Sequence, residues 1–184
     1  ISMKYNTDTP LVYVYNMSDG SLRHTIQNPA ATDDDAQMAY QQSMKMTDTH
    51  LVIGARSQKV NGNANAGAVY VYNPDTGNLL YTINNPNTTS PAEDYFGSNI
   101  SVSTNYIVVS APDTNSDGDG VVYVFNKYDG SLLYTIQNPN TDTIDLIDEF
   151  GRAVDISDTR IIIGAYSETA GSGVNFVGAS YLYN

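Results

Sequence analysis

The 184-residue chain contains no cysteine and no tryptophan, and its 8 Lys and Arg stand against 20 Asp and Glu. Without cysteine there is no disulfide and no thiol nucleophile, and zinc would have to be held by the two histidines together with carboxylates. Cysteine usage therefore says nothing about compartment. The formal net charge of −12 repels polyanions. Phosphate-dominated binding needs clustered Lys and Arg, so nucleic acid is excluded as a partner. No stretch approaches the roughly 18 apolar residues of a membrane-spanning helix, and membrane insertion is not expected. The chain opens on Ile1 with no charged and apolar signal segment, and the missing initiator Met suggests a fragment or a processed chain. Charged residues make up 15% of the chain, against about 25% in a usual globular domain. Asn, Thr, Ser, Gly and 15 Tyr fill the deficit, a polar, uncharged, turn-rich composition long enough for one sizeable core.

One unit is written three times, with the start of a fourth. Its clearest line is VYVYN-MSDGSLRHTIQNP from Val12 to Pro29, VYVYN-PDTGNLLYTINNP from Val69 to Pro86, and VYVFN-KYDGSLLYTIQNP from Val122 to Pro139. SYLYN from Ser180 to Asn184 begins it again. The marker Asn recurs at Asn16, Asn73, Asn126 and Asn184, with periods of 57, 53 and 58 residues. A second line follows each: Ala39 to Ala55, Tyr95 to Ala111, and Glu149 to Ala165. In all three an aromatic (Tyr40, Phe96 or Phe150) lies 14 residues before Gly54, Ser110 or Gly164. That constant spacing tolerates no insertion, while the variable lengths elsewhere mark loops.

Each unit reads as four short strands. Val-Tyr-Val-Tyr alternates with period 2, placing Val12 and Val14 on one face and Tyr13 and Tyr15 on the other. Asp19-Gly20, Thr76-Gly77 and Asp129-Gly130 supply the positive-φ positions of a tight turn, so the following Leu-x-x-Thr-Ile segment returns as a second strand. Asn-Pro at 28–29, 85–86 and 138–139 then ends pairing, because proline cannot donate to a ladder. After a polar loop come a strand near Ser98 to Ser103, a turn at Thr104-Asn105 and an apolar strand from Tyr106 to Ala111. Helical periodicity is absent.

Four antiparallel strands in a repeat of 53 to 58 residues predict an all-β fold, a β-propeller of four-stranded blades packed face to face. Phe96-Gly97 followed by Ser110-Ala111-Pro112, and Phe150-Gly151 followed by Gly164-Ala165, resemble the FG-GAP repeat family, the blade module of integrin α-chain propellers and of many bacterial and phage surface proteins. The first unit departs from that pattern, with Tyr40-Gln41 for Phe-Gly and Arg56 for the proline, as does the third, with Tyr166 for the proline. The resemblance implies that the Phe-Gly strand is innermost. On that phase, residues 1–184 form one repeat domain: 1–29 end a preceding blade, 40–86 and 96–139 are blades, and 150–184 is an incomplete blade. Thirteen strands result, too few for a ring of at least four complete blades, so the expectation is a segment of a larger ring or closure by another chain. Open sheet edges are expected at Val12 to Tyr15 and at Tyr181 to Tyr183.

The sharpest local motif is Asp113, Asn115, Asp117 and Asp119 around Gly118 and Gly120, the first half of a calcium loop. Alternate oxygen-bearing side chains around a glycine turn converge on a hard cation, which makes calcium the metal this loop would take. The bidentate Glu of the twelfth position is replaced by Val124, and the family's calcium loops lie elsewhere in the blade, so the resemblance does not carry calcium over. The same residues also suit any tight polar loop. Carboxylates gather before the Phe-Gly positions, at Asp33, Asp34, Asp35, Glu93, Asp94, Asp142, Asp145, Asp148 and Glu149. A glycosidase needs one asymmetric carboxylate pair, whereas these recur in every unit, as solvated loops or acceptors of backbone N–H bonds would. His24 and His50 form no triad. Registered tyrosines such as Tyr13, Tyr70 and Tyr123 read as packing between blades; Tyr128 and Tyr166, off the register, read as sugar-stacking or protein-contact candidates. Asn-x-Ser/Thr sequons at Asn16, Asn87 and Asn99 matter only in a secretory host.

No catalytic residue is identified. The reading is a non-enzymatic surface protein, extracellular or on a virion, for adhesion, host or glycan recognition, or structural assembly. Its partners would be other protein chains, through self-assembly or flanking blades, and cell-surface glycans. The alternative is a carbohydrate-active or cofactor-binding propeller enzyme whose catalytic residues lie outside these 184.

Overall fold

A computed structural model describes residues 2–4, 11–30, 43–114, 119–140, 148–168 and 177–184. They form four antiparallel sheets in chain order and no helix. The first comprises β1 (Ser2–Lys4), β2 (Leu11–Tyr15) and β3 (Leu22–Gln27). The second runs β4 (Met44–Met46), β5 (Leu51–Ala55), β6 (Ala68–Tyr72), β7 (Leu79–Asn84). The third runs β8 (Ile100–Val102), β9 (Tyr106–Ala111), β10 (Val121–Asn126), β11 (Leu132–Gln137). The fourth holds β12 (Phe150–Ile156), β13 (Ile161–Ala165) and β14 (Ala179–Tyr183). These are the blades of a β-propeller.

The turn chemistry explains why the same hairpin forms three times. In each, the marker asparagine accepts through its backbone carbonyl from the turn glycine, Gly20, Gly77 or Gly130, at 2.9 Å. Those glycines have φ of 71° to 72°, a region where a Cβ is disfavoured. Asp19 and Asp129 accept from the backbone N–H of Ser21 and Ser131, and in the second hairpin the Thr76 hydroxyl takes that role toward Asn78. The ladder slips by one residue at the same place in all three, after Val14, Val71 and Val124.

Alternation along the strand decides which sheet meets which. Val12 and Val14 pack with Tyr70 and Tyr72 of the second sheet. Val69 and Val71 pack with Tyr123 and Phe125 of the third, and Val122 and Val124 with the fourth sheet around Tyr181 and Tyr183. At each of these three joints a blade thus turns its valine face to the aromatic face of its successor. Among the described residues no core cluster joins the first sheet to the fourth.

Among the described residues there are fourteen strands where thirteen were expected. The extra one is β1, whose Ser2, Met3 and Lys4 pair with Tyr13, Val12 and Leu11. The expected open edge at Val12 to Tyr15 is therefore wrong, because β2 is paired on both sides. A three-residue Ser-Met-Lys strand has no legible alternation, so only the ladder reveals it. At the other end β14 has β13 on one side only among the described residues.

Candidate functional site

The phenylalanines of the Phe-Gly steps are fully buried, and the preceding blade is shaped to receive them. A Cβ at Gly67 would overlap the Phe96 carbonyl, and one at Gly120 the Phe150 carbonyl. Gly97 approaches the Ala68 carbonyl oxygen so closely that a Cβ there would lie 3.0 Å from it. The loop before Phe96 is also pinned to its predecessor: Glu93, Tyr95 and Phe96 donate their backbone N–H groups to the carbonyls of Ala64, Asn65 and Ala66.

An aspartate two residues before each phenylalanine anchors this loop. Asp94 is buried and accepts the side-chain amides of Asn85 at 2.7 Å and Asn87 at 2.9 Å. Asp148, likewise buried, accepts those of Asn138 at 2.8 Å and Asn140 at 3.4 Å. Burial raises the Asp94 carboxyl above its ordinary value, against the two asparagine bonds. In the first repeat Asn28 instead donates to Gln58 Oε1 at 3.0 Å. These two aspartates are therefore buried rather than solvated, and among the described residues an Asn-Pro-Asn step upstream supplies donors to both. The remaining acids, Asp33 to Asp35, Asp142 and Asp145, lie outside the described residues.

Above the anchors, loops of the second, third and fourth sheets gather charge and aromatic surface. The Arg56 guanidinium lies 5.0 Å from the centre of the Tyr95 ring, within cation–π range. Tyr95 donates its hydroxyl to Glu93 at 2.7 Å, and Asn65 donates to the same oxygen at 2.9 Å. Arg152 pairs with Glu149, which also accepts from the Ser167 hydroxyl. Tyr95 and Glu149 occupy equivalent positions and both have positive φ, 52° and 53°, unusual for side chains of their size. The Phe-Gly seat fixes that backbone, so two side chains project from a rigid support.

Asp113 sits beside this cluster, half-buried. Burial pushes its carboxyl up; Arg152 and Arg56 oppose that, and Glu149 and Asp94 reinforce it. Asp119 is described and partly buried, whereas Asn115 and Asp117 of the calcium motif lie outside the described residues. Among the described residues no group of three or more His, Asp and Glu is placed to hold a metal. Arg56, Tyr95 and Arg152 escaped the sequence reading; their one signal was the departure of Arg56 from the proline of the repeat.

The histidines serve joints and turns. His24 Nε2 lies 2.7 Å from the Asp75 carbonyl and its ring covers Gly77 of the next hairpin. His50 is buried, with Nδ1 2.8 Å from the Thr49 hydroxyl and its ring edge-on to Tyr128. Tyr128 also donates to the Thr104 carbonyl, which ties it to a turn, while Tyr166 is 75% exposed. All three sequon asparagines use their amides internally: Asn16 on Ser21, Asn87 on Asp94 and Ser90, Asn99 on Ser110 and Gly151. A separate cavity of about 410 Å³ opens between the third and fourth sheets, walled by Tyr106, Tyr134, Ile136, Ile156 and Tyr183. It lies beside Tyr134, the counterpart of His24 and Tyr81, which at the two earlier joints cover the next hairpin's glycine.

Comparison with known proteins agrees with this geometry. No curated protein matches the chain. A solved structure described as the computationally designed Ika4 protein shares the fold, with a TM-score of 0.54 at 18% identity over 94% of this chain and 78% of that one. Residues 90–125 and 147–183 match the FG-GAP repeat; each match contains one Phe-Gly step and the strands that follow it. The third and fourth sheets thus carry FG-GAP repeats, and the first two are built on similar ladders.

Proposed function

We propose that the chain is a non-enzymatic recognition module that binds protein or glycan surfaces outside the cell or on a virion, through the loops around Arg56, Tyr95 and Tyr166. One observation carries this reading. The position after the strand-ending alanine holds Arg56, Pro112 and Tyr166 in successive repeats, so a constant scaffold presents a changing loop residue, as binding surfaces on rigid frameworks do. A planar guanidinium on an aromatic ring, an exposed tyrosine and nearby carboxylates are groups that contact sugars and polar protein surfaces. No helix of the described residues is long and apolar enough to cross a membrane.

The test is binding of the purified chain to a glycan array and to intact cell surfaces, followed by the double variant Arg56→Ala, Tyr166→Ala. Both side chains are off the inter-blade cores, so circular dichroism should be unchanged while binding falls at least about tenfold, the effect of losing about 1.4 kcal/mol. Binding that survives the double variant would move the recognition surface elsewhere, and a chain that binds neither sugars nor cells would defeat the reading.

A further inference from the structure

The end sheets carry the two halves of the joint that recurs three times inside the chain. On the fourth sheet, Ile162 stands opposite Leu182 across the ladder. Their counterparts in register are Val52 with Val71 and Val108 with Val124, all buried beneath the aromatic face of the following blade. Ile162 is instead 48% exposed and Leu182 61% exposed. Beside them, Gly164 and Gly178 repeat the glycines that seat a neighbour at the inner joints: Gly54 and Gly67 meet the Phe96-Gly97 backbone, whereas among the described residues the nearest neighbours of Gly164 and Gly178 are Ala153, Ala165 and Tyr166 of their own blade. A shallow depression lined by Ala153, Gly164, Tyr166, Val177, Gly178 and Ser180 marks the place.

The first sheet shows the reverse. Tyr13 and Tyr15 are the counterparts of Tyr70 and Tyr72, which are buried against the valines of the preceding sheet. Tyr15 is 42% exposed, and a Cβ on Gly20 would touch nothing, while its counterparts Gly77 and Gly130 lie under His24 and Tyr81 of the preceding sheet.

We propose that a second copy of this chain docks head to tail, laying the Tyr13 and Tyr15 face of its first sheet on the Ile162 and Leu182 face of the fourth. The occupant follows from continuity with the three internal joints: aromatic face on aliphatic face is the pairing used at each of them, and one copy supplies both halves. The contact is heterologous, since the two surfaces differ, so it propagates unless the rotation closes. Two copies of these 184 residues bring eight sheets, the upper end of the usual four to eight of propellers, and three would exceed it. For the 184-residue chain the closed form is therefore a dimer. This inference concerns the protein-partner side of the proposed function; Tyr166 borders the depression but Arg56 does not, so Arg56→Ala alone should associate like wild type.

Light scattering of the purified chain over a wide concentration range tests it, with two single variants on exposed side chains that leave the inner cores intact. Leu182→Asp removes the tail and Tyr15→Asp the head; Ile162→Asp provides a second tail variant. Wild type should have the mass of a dimer, or grow with concentration if the ring stays open. Each variant alone should be a monomer with unchanged circular dichroism. An equal mixture of Leu182→Asp and Tyr15→Asp retains one good head and one good tail, so it should form a dimer that grows no further. A wild type that is monomeric at every concentration overturns the proposal. So does a single variant that still dimerises, which would mean like-to-like pairing, or a mixture that stays monomeric.

Discussion

At the scale of single residues, the decisive groups are polar and buried. Asp94 holds two asparagine amides under the Phe-Gly loop, and Asp94→Ala leaves those donors with only their carbonyl partners, Ala66 and Ser90. Weakening buried hydrogen bonds of this kind costs about 1–3 kcal/mol, measurable by urea unfolding, whereas Glu93→Ala on the surface should cost no more than about 0.5 kcal/mol. Equal effects would show that the anchor contributes nothing beyond the loop backbone. His50 gives a pH dependence of defined sign. Burial first, and the Lys127 charge second, hold it below its ordinary 6.5, so between the two values the unfolded chain binds more protons than the folded one. The stability this group contributes is complete above about pH 6.5 and is lost as pH falls through the folded value. Asp94 and Asp113 act oppositely: their raised carboxyls favour the folded state below about 3.8, a contribution lost as pH rises through their folded values. Comparing His50→Gln with wild type at pH 7.5 and 5.5 isolates the histidine, and the fall in stability toward pH 5.5 should be smaller in the variant.

At the scale of the strand and its joint, glycine separates backbone cost from packing cost. Gly20 and Gly67 both have positive φ, 71° and 82°, so alanine at either pays about 1–2 kcal/mol for the left-handed backbone. Only at Gly67 does the new methyl run into the Phe96 carbonyl of the next blade. Gly67→Ala should therefore lose clearly more stability in chemical denaturation than Gly20→Ala, and equal losses would mean that the joint yields. Much of this element scale is legible from residues alone. The marker Asn, the turn Gly and the alternating Val and Tyr specify strand, turn and face locally, and the hairpins, the valine and tyrosine faces and the four sheets stand where those signals put them. β1 was not legible, because three residues cannot show a period and its place is set by pairing with Leu11 to Tyr13. The roles of Asp94 and Asp148 were hidden for another reason: in a run of acids, an anchored carboxylate and a solvated one look alike until burial is known. The constant spacing of 14 residues pointed to a rigid connection, but not to the Phe-Gly backbone lying on glycines of the preceding blade.

At the scale of the whole molecule, stability should follow nearest neighbours, because each of the three core clusters joins only adjacent sheets. The second and third sheets are covered on both faces, with β5, β6, β9 and β10 buried almost throughout. The first and fourth are covered on one face each, and β13 and β14 alternate between covered and exposed positions. Local opening costs least where few apolar contacts must break. In dilute solution, where head-to-tail contacts are scarce, amide hydrogen exchange should be slowest in β6 and β10, intermediate in β2 and β13, and fastest in β14, whose outer edge has no partner among the described strands. Raising the concentration should then slow exchange in β2, β13 and β14 together while leaving β6 and β10 unchanged, since only the end sheets gain a neighbour. Uniform protection across all four sheets in dilute solution would mean that the chain opens as one cooperative block, and the nearest-neighbour account would fail.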